Sequence, residues 1–476
     1  MFSAKRYKTP KLFFKSFTLY IIILNFLILG QPMPLEAEEA SNHSFPNIEF
    51  QEDDRILILA PHPDDEVLGC GGVIQRAVQL KLPIKIVFLT YGDNNQWSFL
   101  VYRKHPVLKS KAILKMGEVR RKEAIEAAKV LGLSPDQLIF LGYPDFRTLT
   151  IWYAHWQDQP PAKGMFSRVT AVPYSDAFRP GSPYKGEEIL KDLKDIFNDF
   201  KPTKIFLSHP ADHNPDHRAL YLFSRIALWE LEGQINPTLY PYLIHFKNWP
   251  QPKGDKPNEQ ITPPSLFEKE ILWKTIDLTP NEVEINKKAI KQHRSQYISS
   301  TKYLLSFIRR NELFGDFAVI NLKEKDYSKK LAQYNSDYFV DFPEGLREEE
   351  KVEFVGIEQE FLTLENEALI FTVRLSRSLS KEINLSFYAF GYRKDYPFSN
   401  MPKLHIMFKK KTFKVFDGGK LLSPTIVNIE YRNREIIIRI PIKALNYPQR
   451  ILTSTRIYKG LVPLDWVEWR IIEIEN

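Results

Sequence analysis

The sequence predicts a doubly wound, mostly parallel α/β sheet followed by an antiparallel β-sandwich. Three observations predict this fold. Short apolar runs alternate with helical patterns between about residues 53 and 246, polar clusters rich in His and Asp follow two of these runs, and the last ~130 residues carry closely spaced strand patterns. Alternation of strand and helix is typical of a parallel sheet, whereas strands in close succession are typical of a sandwich.

Five segments have the continuous apolar character of buried parallel strands. They are "RILILA", "PIKIVFLTYG", "QLIFLGY", "KIFLSHP" and "LYPYLIHF". Between them, "GEVRRKEAIEAAKVLGL" and "GEEILKDLKDIFNDF" repeat apolar residues at helical spacing. We therefore expect a Rossmann-like domain over residues 46–325. Its connections at 94–116 and 146–186 are long and rich in aromatics, so we expect them to form the walls of a cleft.

The C-terminal part differs in kind. Segments such as "ALIFTVRLS", "INLSFYAFGY" and "EIIIRIPI" are strand patterns separated by turn residues, after a charged linker at about 325–350. We predict a β-sandwich over residues 345–476. It contains no catalytic cluster, so it either binds carbohydrate or serves as a structural or docking domain.

The N-terminus has the layout of a targeting segment. Five basic residues precede the apolar run "SFTLYIIILNFLILG", and a polar stretch with Ala37 as a cleavage position follows. The run is about 15 residues long, short of the ~20 that span a bilayer. We predict a signal peptide over residues 1–37 and an exported protein, with an uncleaved inner-membrane anchor as the alternative.

Composition excludes several classes of site. The single cysteine, Cys70, excludes an intramolecular disulfide and any zinc site built on several cysteines. The formal net charge of +8 is mild for this length, and no dense run of Lys and Arg alternates with aromatic residues. We therefore expect no nucleic-acid partner.

Two polar clusters stand just past predicted strands, where ligands bind in parallel α/β sheets. The first, "PHPDDE", contains His62, Asp64, Asp65 and Glu66, and the second is "SHPADHNPDHRAL" at 208–220. A catalytic zinc takes three protein ligands and keeps a fourth position for water. A His and an Asp from the first cluster and a His from the second would supply them. The alternative is a pair of helix-capping turns.

The motifs "APHPDDEVLGCGG" and "HPADHNPDHR" resemble those of the LmbE/PIG-L family of zinc-dependent N-acetylglucosaminyl deacetylases. The resemblance extends over about residues 53–320. It implies a hydrolase that acts on C–N bonds other than peptide bonds and removes the acetyl group from an N-acetylglucosamine-type sugar or glycan. The implied cofactor is Zn²⁺, with another divalent metal as the alternative.

The resemblance also implies roles for individual residues. A zinc-bound water attacks the amide carbonyl, a carboxylate takes its proton, and zinc stabilises the oxyanion. Many members carry a His three residues before the last ligand, where this chain has Asn214 with His213 beside it. The implied metal ligands are His62, Asp65 and His217. The implied catalytic residues are Asp64 as general base, with Asn214 and His213 at the oxyanion. Arg120, or Arg121 beside it, and Asp145 fall where the family contacts sugar hydroxyls.

Other functions remain open from the sequence. The chain could be an amidase for another amide, such as an amino-sugar conjugate, or a non-catalytic glycan-binding protein. Aromatic residues in the long connections either face a sugar or pack onto the body of the domain; these are Trp97, Tyr102, Trp152, Tyr153 and Trp156. His209 is a further candidate at the oxyanion. The resemblance would allow His245 and His293 to reach the rim of the cleft, but a lone His is more often structural, so we place neither in direct contact with the metal or substrate.

Overall fold

The computed structural model describes residues 45–94, 109–324, 327–334, 354–460 and 462–475. Within them, a mostly parallel sheet flanked by helices precedes two antiparallel sheets, so the predicted fold class is confirmed. The predicted signal peptide at residues 1–37 lies outside these ranges. None of the helices in the described ranges has both the length and the apolar character needed to cross a membrane.

The α/β sheet reverses its strand order in the middle. In the described residues it has the order β3-β2-β1-β4-β5-β7-β6, and the first five of these strands are parallel to one another. In chain order, β2 and β3 are added on one side of β1, and β4 and β5 are added on the other side. A topological switch point therefore lies between β1 and β4. The strands are β1 (Ile56–Ala60), β2 (Ile84–Thr90), β3 (Leu138–Tyr143), β4 (Lys204–Ser208), β5 (Thr238–Tyr242), β6 (Lys274–Asp277) and β7 (Asn311–Phe314).

The helices lie where the apolar periodicity predicts them, except that the two long connections also contain helical residues. Residues 110–116, expected in a loop, begin a helix, and a short helix lies inside the second long connection. Residues 95–108, which include Trp97 and Tyr102, lie outside the described ranges. The helices are α1 (Asp65–Gln79), α2 (Ser110–Val130), α3 (Thr148–Ala154), α4 (Gly186–Phe200), α5 (Pro215–Glu230), α6 (Pro280–Ile290) and α7 (Arg294–Leu305).

Glycine lets α1 pack closely on the sheet. A Cβ at Gly69 would lie 2.5 Å from the ring of Tyr242 on β5, closer than real side chains approach one another. Glycine at this position therefore allows the first turn of α1 to approach β5 closely.

Two facing sheets form the C-terminal domain. Phe371 of one sheet and Phe387 of the other lie 4.7 Å apart, and the apolar side chains of both sheets share one core. Among the described residues the sheet orders are β16-β17-β11-β10-β9 and β15-β14-β13-β12-β18-β19-β8. The strands are β8 (Ile320–Leu322), β9 (Lys329–Gln333), β10 (Ile357–Glu365), β11 (Ala368–Leu375), β12 (Ile383–Tyr392), β13 (Lys403–Lys409), β14 (Thr412–Asp417), β15 (Lys420–Leu422), β16 (Asn428–Arg432), β17 (Glu435–Pro441), β18 (Arg450–Lys459) and β19 (Val462–Ile474).

The sandwich takes its first two strands from before residue 345. β8 pairs in parallel with β19, and β9 pairs with β10, although the sequence analysis assigns these segments to the first domain and the linker. Both strands are short and β9 begins with two lysines, so they lack the apolar alternation that identifies the longer strands.

An aromatic cluster joins the two domains. Trp152 of α3 is fully buried, 5.1 Å from Phe223 on α5 and 5.3 to 6.3 Å from three sandwich residues. Those three are Phe390, Phe398 and Trp469. The sequence leaves open whether the aromatic residues of the long connections face a sugar or pack onto the domain. Trp152 packs.

We expect Trp152→Ala to lower the free energy of unfolding by about 3–5 kcal/mol, because it removes a large buried ring from a shared core. Urea denaturation followed by circular dichroism measures this loss. Leu272→Ala is the control, since Leu272 is 93% exposed and its truncation should change stability by less than ~0.5 kcal/mol. Equal stability of the two variants would contradict the interface described here.

Candidate active site

The two polar clusters meet because β1 and β4 are neighbours. The strands pair in parallel, with Ile58 opposite Phe206, so their carboxyl ends lie at the same edge of the sheet. The first cluster leads directly into α1 and the second into α5. Parallel pairing at the switch point thus brings together side chains that are about 150 residues apart in the sequence.

Three of the predicted residues form a cluster with the character of a metal site. Nδ1 of His62 and Nε2 of His217 lie 3.1 and 3.0 Å from Oδ2 of Asp65. All three side chains are buried, and their ligand atoms lie within 4.8 Å of one another. Two imidazoles and one carboxylate are a common donor set for a catalytic zinc.

His217 shows that the cluster fits a cation. Both of its ring nitrogens are buried and make no hydrogen bond of good geometry within the described residues, although carboxylate oxygens lie nearby. Such an orphaned nitrogen is costly unless another partner satisfies it. A metal ion between His62, Asp65 and His217 would satisfy Nε2, which faces Asp65.

Asp212 fixes the ring of His217 from behind. Its Oδ2 lies 3.0 Å from Nδ1 of His217, and the carboxylate also accepts backbone N–H groups of Asn214, Ile244 and His245. Burial alone would lower the pKa of His217, but Asp212 and Asp65 raise it to about 9. A carboxylate behind a ligating His orients the ring and increases its basicity.

Two further carboxylates contact the other edge of His62. Nε2 of His62 lies 3.2 Å from Oδ1 of Asp145 and 3.2 Å from Oδ2 of Asp216. Asp216 also accepts hydrogen bonds from the backbone of Phe146 and Thr148, where α3 begins. Asp145 therefore contacts a predicted metal ligand, a contact that the sequence analysis did not anticipate for this residue.

Asp64 has a strained backbone and a fixed carboxylate. Its φ is 126°, a conformation that favours glycine, and its N–H donates to Oε2 of Glu66 at 2.8 Å. Burial raises the pKa of Asp64 to about 6, against the opposing charge of Arg120, whose Nη2 lies 3.2 Å from Oδ1. A strained residue with a pKa near neutrality is typical of a catalytic position.

Arg120 and Glu66 hold Asp64 through further contacts. Arg120 donates to the backbone carbonyls of Pro63 and Gly92 at 2.6 and 2.9 Å, and Glu66 contacts His293 at 2.8 Å. Arg120, predicted to contact the sugar, thus also orients the predicted base. His293 is fully buried, so it supports the site from beneath instead of lying at the rim of the cleft.

A cavity of about 110 Å³ opens beside these groups. Six of the predicted site residues line it: His62, Asp64, Asp65, Arg120, Asp145 and Asn214.

Of the three candidates for the oxyanion, the described residues place Asn214 at the cavity but leave His213 and His209 outside its lining. Asn214 caps α5, its Oδ1 accepting the N–H of Asp216 at 2.9 Å, while its amide lines the cavity. His213 lies outside the lining as far as the described residues show, because its ring packs on Phe246 and Trp466 and burial lowers its pKa to about 3. His209 is fully buried among aromatic rings and also lies away from this lining.

His245 lines the cavity and was not predicted among the site residues. Its Nδ1 lies 3.3 Å from Oδ1 of Asp212, its ring is 4.6 Å from that of His217, and its side chain is 35% exposed. The signal in the sequence was its place just after β5, a third strand end at the same edge of the sheet. No acidic residue stands beside it in the sequence, so it did not form a recognisable cluster.

The φ of Asp64 yields a prediction about stability. We expect Asp64→Gly to be more stable than Asp64→Ala by about 1 kcal/mol, because glycine relieves the backbone strain and both variants lack the carboxylate. Urea denaturation of the metal-free proteins measures the difference. The opposite order, which the greater flexibility of glycine in the unfolded chain would give, would contradict the strain.

The contact between Asp212 and His217 yields a second prediction. We expect Asp212→Asn to lower the affinity for a divalent metal about 10- to 100-fold, because the ring of His217 loses its charged partner. Competition with a chromophoric chelator measures the affinity. Asp192→Asn is the control, since Asp192 is equally buried but bonds Tyr143. Equal affinities in the two variants would show that Asp212 does not act on the metal.

Comparisons with known proteins agree with the geometry. Residues 57–228 match the model of the family described as PIG-L, GlcNAc-PI de-N-acetylase. The uncharacterized deacetylase YaiS of Escherichia coli (strain K12) is 27% identical over 172 residues, which cover 36% of this chain. The match spans 66% of the length of that relative, just under two thirds.

Similar solved structures share low sequence identity with this chain. N,N'-diacetylchitobiose deacetylase from Pyrococcus horikoshii is 22% identical, covering 51% of this chain and 70% of that one, with a TM-score of 0.32. GalB, the 4-carboxy-2-hydroxymuconate hydratase of Pseudomonas putida KT2440, is 16% identical, covering 54% and 82%, with a TM-score of 0.32. Over residues 57–228, about a third of its length, the chain is thus similar to the PIG-L family of deacetylases.

Proposed function

We propose that this protein is a zinc-dependent hydrolase that removes the N-acetyl group from an N-acetylglucosamine-type sugar or glycan. The observation that carries the proposal is the convergence of His62, Asp65 and His217 beside a cavity that Asp64 also lines. The match of residues 57–228 to the PIG-L family model supports the same reaction class. An inert sugar-binding site would have no need of a buried carboxylate beside the metal ligands.

The three residues His62, Asp65 and His217 would hold the metal. When bound, zinc supplies a Lewis acid that polarises the amide carbonyl and lowers the pKa of water. Asp64 accepts the proton of the attacking water. Its backbone bond to Glu66 and its ion pair with Arg120 fix the carboxylate for this transfer, so it needs little reorganisation during the reaction.

Two other groups at the cavity suit the later steps. The amide of Asn214 can donate a hydrogen bond to the oxyanion that develops on the substrate carbonyl, since only its Oδ1 is used in the helix cap. We assign His245 to the same region, as an oxyanion donor or as the group that delivers a proton to the departing amine. Its contact with Asp212 orients the ring for either role.

Arg120 and Asp145 are the candidates for binding sugar hydroxyls. Both line the cavity, although both also have partners within the protein, so a sugar would share them with Asp64 and His62. We further propose that residues 1–37 direct export of the chain or anchor it in the inner membrane.

The paired aspartates give a sharp test. We expect Asp64→Asn to bind zinc as the wild type does but to release acetate from N,N'-diacetylchitobiose about 10²- to 10⁴-fold more slowly, because the proton acceptor is lost. Asp65→Asn should lose the metal as well as activity. Metal analysis and an enzymatic acetate assay measure the two properties. Asp158→Asn, at an exposed position, is the control.

Three results would overturn parts of this proposal. A wild-type protein without bound zinc or another divalent metal would exclude the metal mechanism. Full activity of Asp64→Asn would remove Asp64 as the base. Acetate release from a different class of amide, with none from N-acetylated sugars, would favour the alternative amidase, and sugar binding without acetate release would favour a glycan-binding protein.

A further inference from the structure

Two arginines at the interface of the domains have no carboxylate partner among the described residues. Arg218 belongs to α5 and Arg456 to β18 of the sandwich. Nε of Arg218, and Nε and Nη2 of Arg456, are buried and make no hydrogen bond within the described part of the chain. Arg218 as a whole is only 7% exposed.

Trp466 links the two arginines. Arg218 packs on its ring, and Trp466 stands opposite Arg456 in the pairing of β18 with β19. The carboxylate of Asp212 is already shared between His217 and His245. Buried guanidinium nitrogens without a hydrogen-bond partner cost stability unless another group satisfies them.

Aromatic rings flank both arginines. Cζ of Arg218 lies 5.6 Å from the ring centre of Trp466, and Cζ of Arg456 lies 5.7 and 5.9 Å from those of Tyr153 and Tyr388. The hydroxyl of Tyr153 is buried and has no hydrogen-bond partner among the described residues. It adds a neutral donor to the arginine donors.

The arginine pair is close to the active-site cavity. The ring of Trp466, which packs on Arg218, also contacts the ring of His213 at 4.4 Å. His213 directly precedes Asn214, which lines the cavity, and Arg218 directly follows the ligand His217. Through Trp466 and His213, the arginine pair is thus connected to the lining of the cavity.

We propose that Arg218 and Arg456 form an anion-binding subsite, shared by the two domains, for an oxyanion carried by the substrate. A phosphate, sulfate or carboxylate group would satisfy the unpartnered guanidinium nitrogens and the hydroxyl of Tyr153. Guanidinium groups bind such anions through paired, charge-assisted hydrogen bonds. The assignment to a substrate rests on the proposed function, whereas anion binding itself does not.

Direct binding tests the subsite without any activity. We expect inorganic phosphate to raise the melting temperature of the wild type more than chloride at equal ionic strength, and Arg456→Gln to lose this gain or to weaken phosphate binding about tenfold or more. Arg450→Gln is the matched control, because Arg450 also lies on β18 over an aromatic ring, Trp229, but is paired with Glu232 and Glu473. It should respond to phosphate as the wild type does.

Kinetics then locate the anion on the substrate. We compare acetate release from N-acetylglucosamine 1-phosphate with release from N-acetylglucosamine, and expect Arg456→Gln to lower kcat/KM about tenfold for the phosphorylated sugar alone. An equal loss for both sugars would assign Arg456 a structural role and overturn the proposal. Phosphate binding that is the same in the wild type and Arg456→Gln would also overturn it.

The two proposals fail in different ways. If neither sugar releases acetate but phosphate binding depends on Arg456, the subsite stands and the proposed reaction is wrong. If both sugars react equally well in the wild type and phosphate does not bind, the reaction stands and the subsite is wrong. Binding of free phosphate with no preference for the phosphorylated sugar would identify a site for the ion alone and would contradict its role in substrate recognition.

Discussion

The site depends on the parallel pairing of β1 with β4. Each strand ends in a polar segment, and neither segment alone supplies three ligands for a metal. The hydrogen-bonded register between the strands sets the two segments side by side, so that Asp65 contacts both His62 and His217. A shift of either strand would separate these atoms, because every side chain on a strand moves together with its register.

The adjacent residues Asp64 and Asp65 make different contacts because their backbone conformations differ. Asp65 begins α1 and faces the histidines, while the positive φ of Asp64 turns its carboxylate toward Arg120. The positive charge of Arg120 offsets part of the negative charge of the carboxylates at the site. The carboxylate of Asp212 is stabilised by the backbone N–H of Ile244 and by its contact with the ring of His217. Sequence proximity alone could not distinguish the two aspartates; backbone conformation does.

The apolar runs predicted the five parallel strands because such strands are buried on both faces and carry little else. They did not predict β8 and β9, whose pairing depends on distant partners. For the same reason the sequence proposed clustered residues such as His62 and His217 but did not show where the rings of His213 and His245 lie. His213 packs against Trp466 of the other domain, and His245 reaches the cavity because Asp212 binds its backbone.

The sandwich is part of the support of the site. The helix α3 begins with Thr148, whose N–H and hydroxyl bond Asp216, and that carboxylate contacts His62. A turn further on, Trp152 of the same helix is fixed among rings of the sandwich. A seven-residue helix has little stability of its own, so its position depends on packing at both ends. Contacts with the C-terminal domain therefore help to hold the carboxylate of Asp216 beside the predicted metal ligand His62. A domain joined only by a flexible linker could not do this.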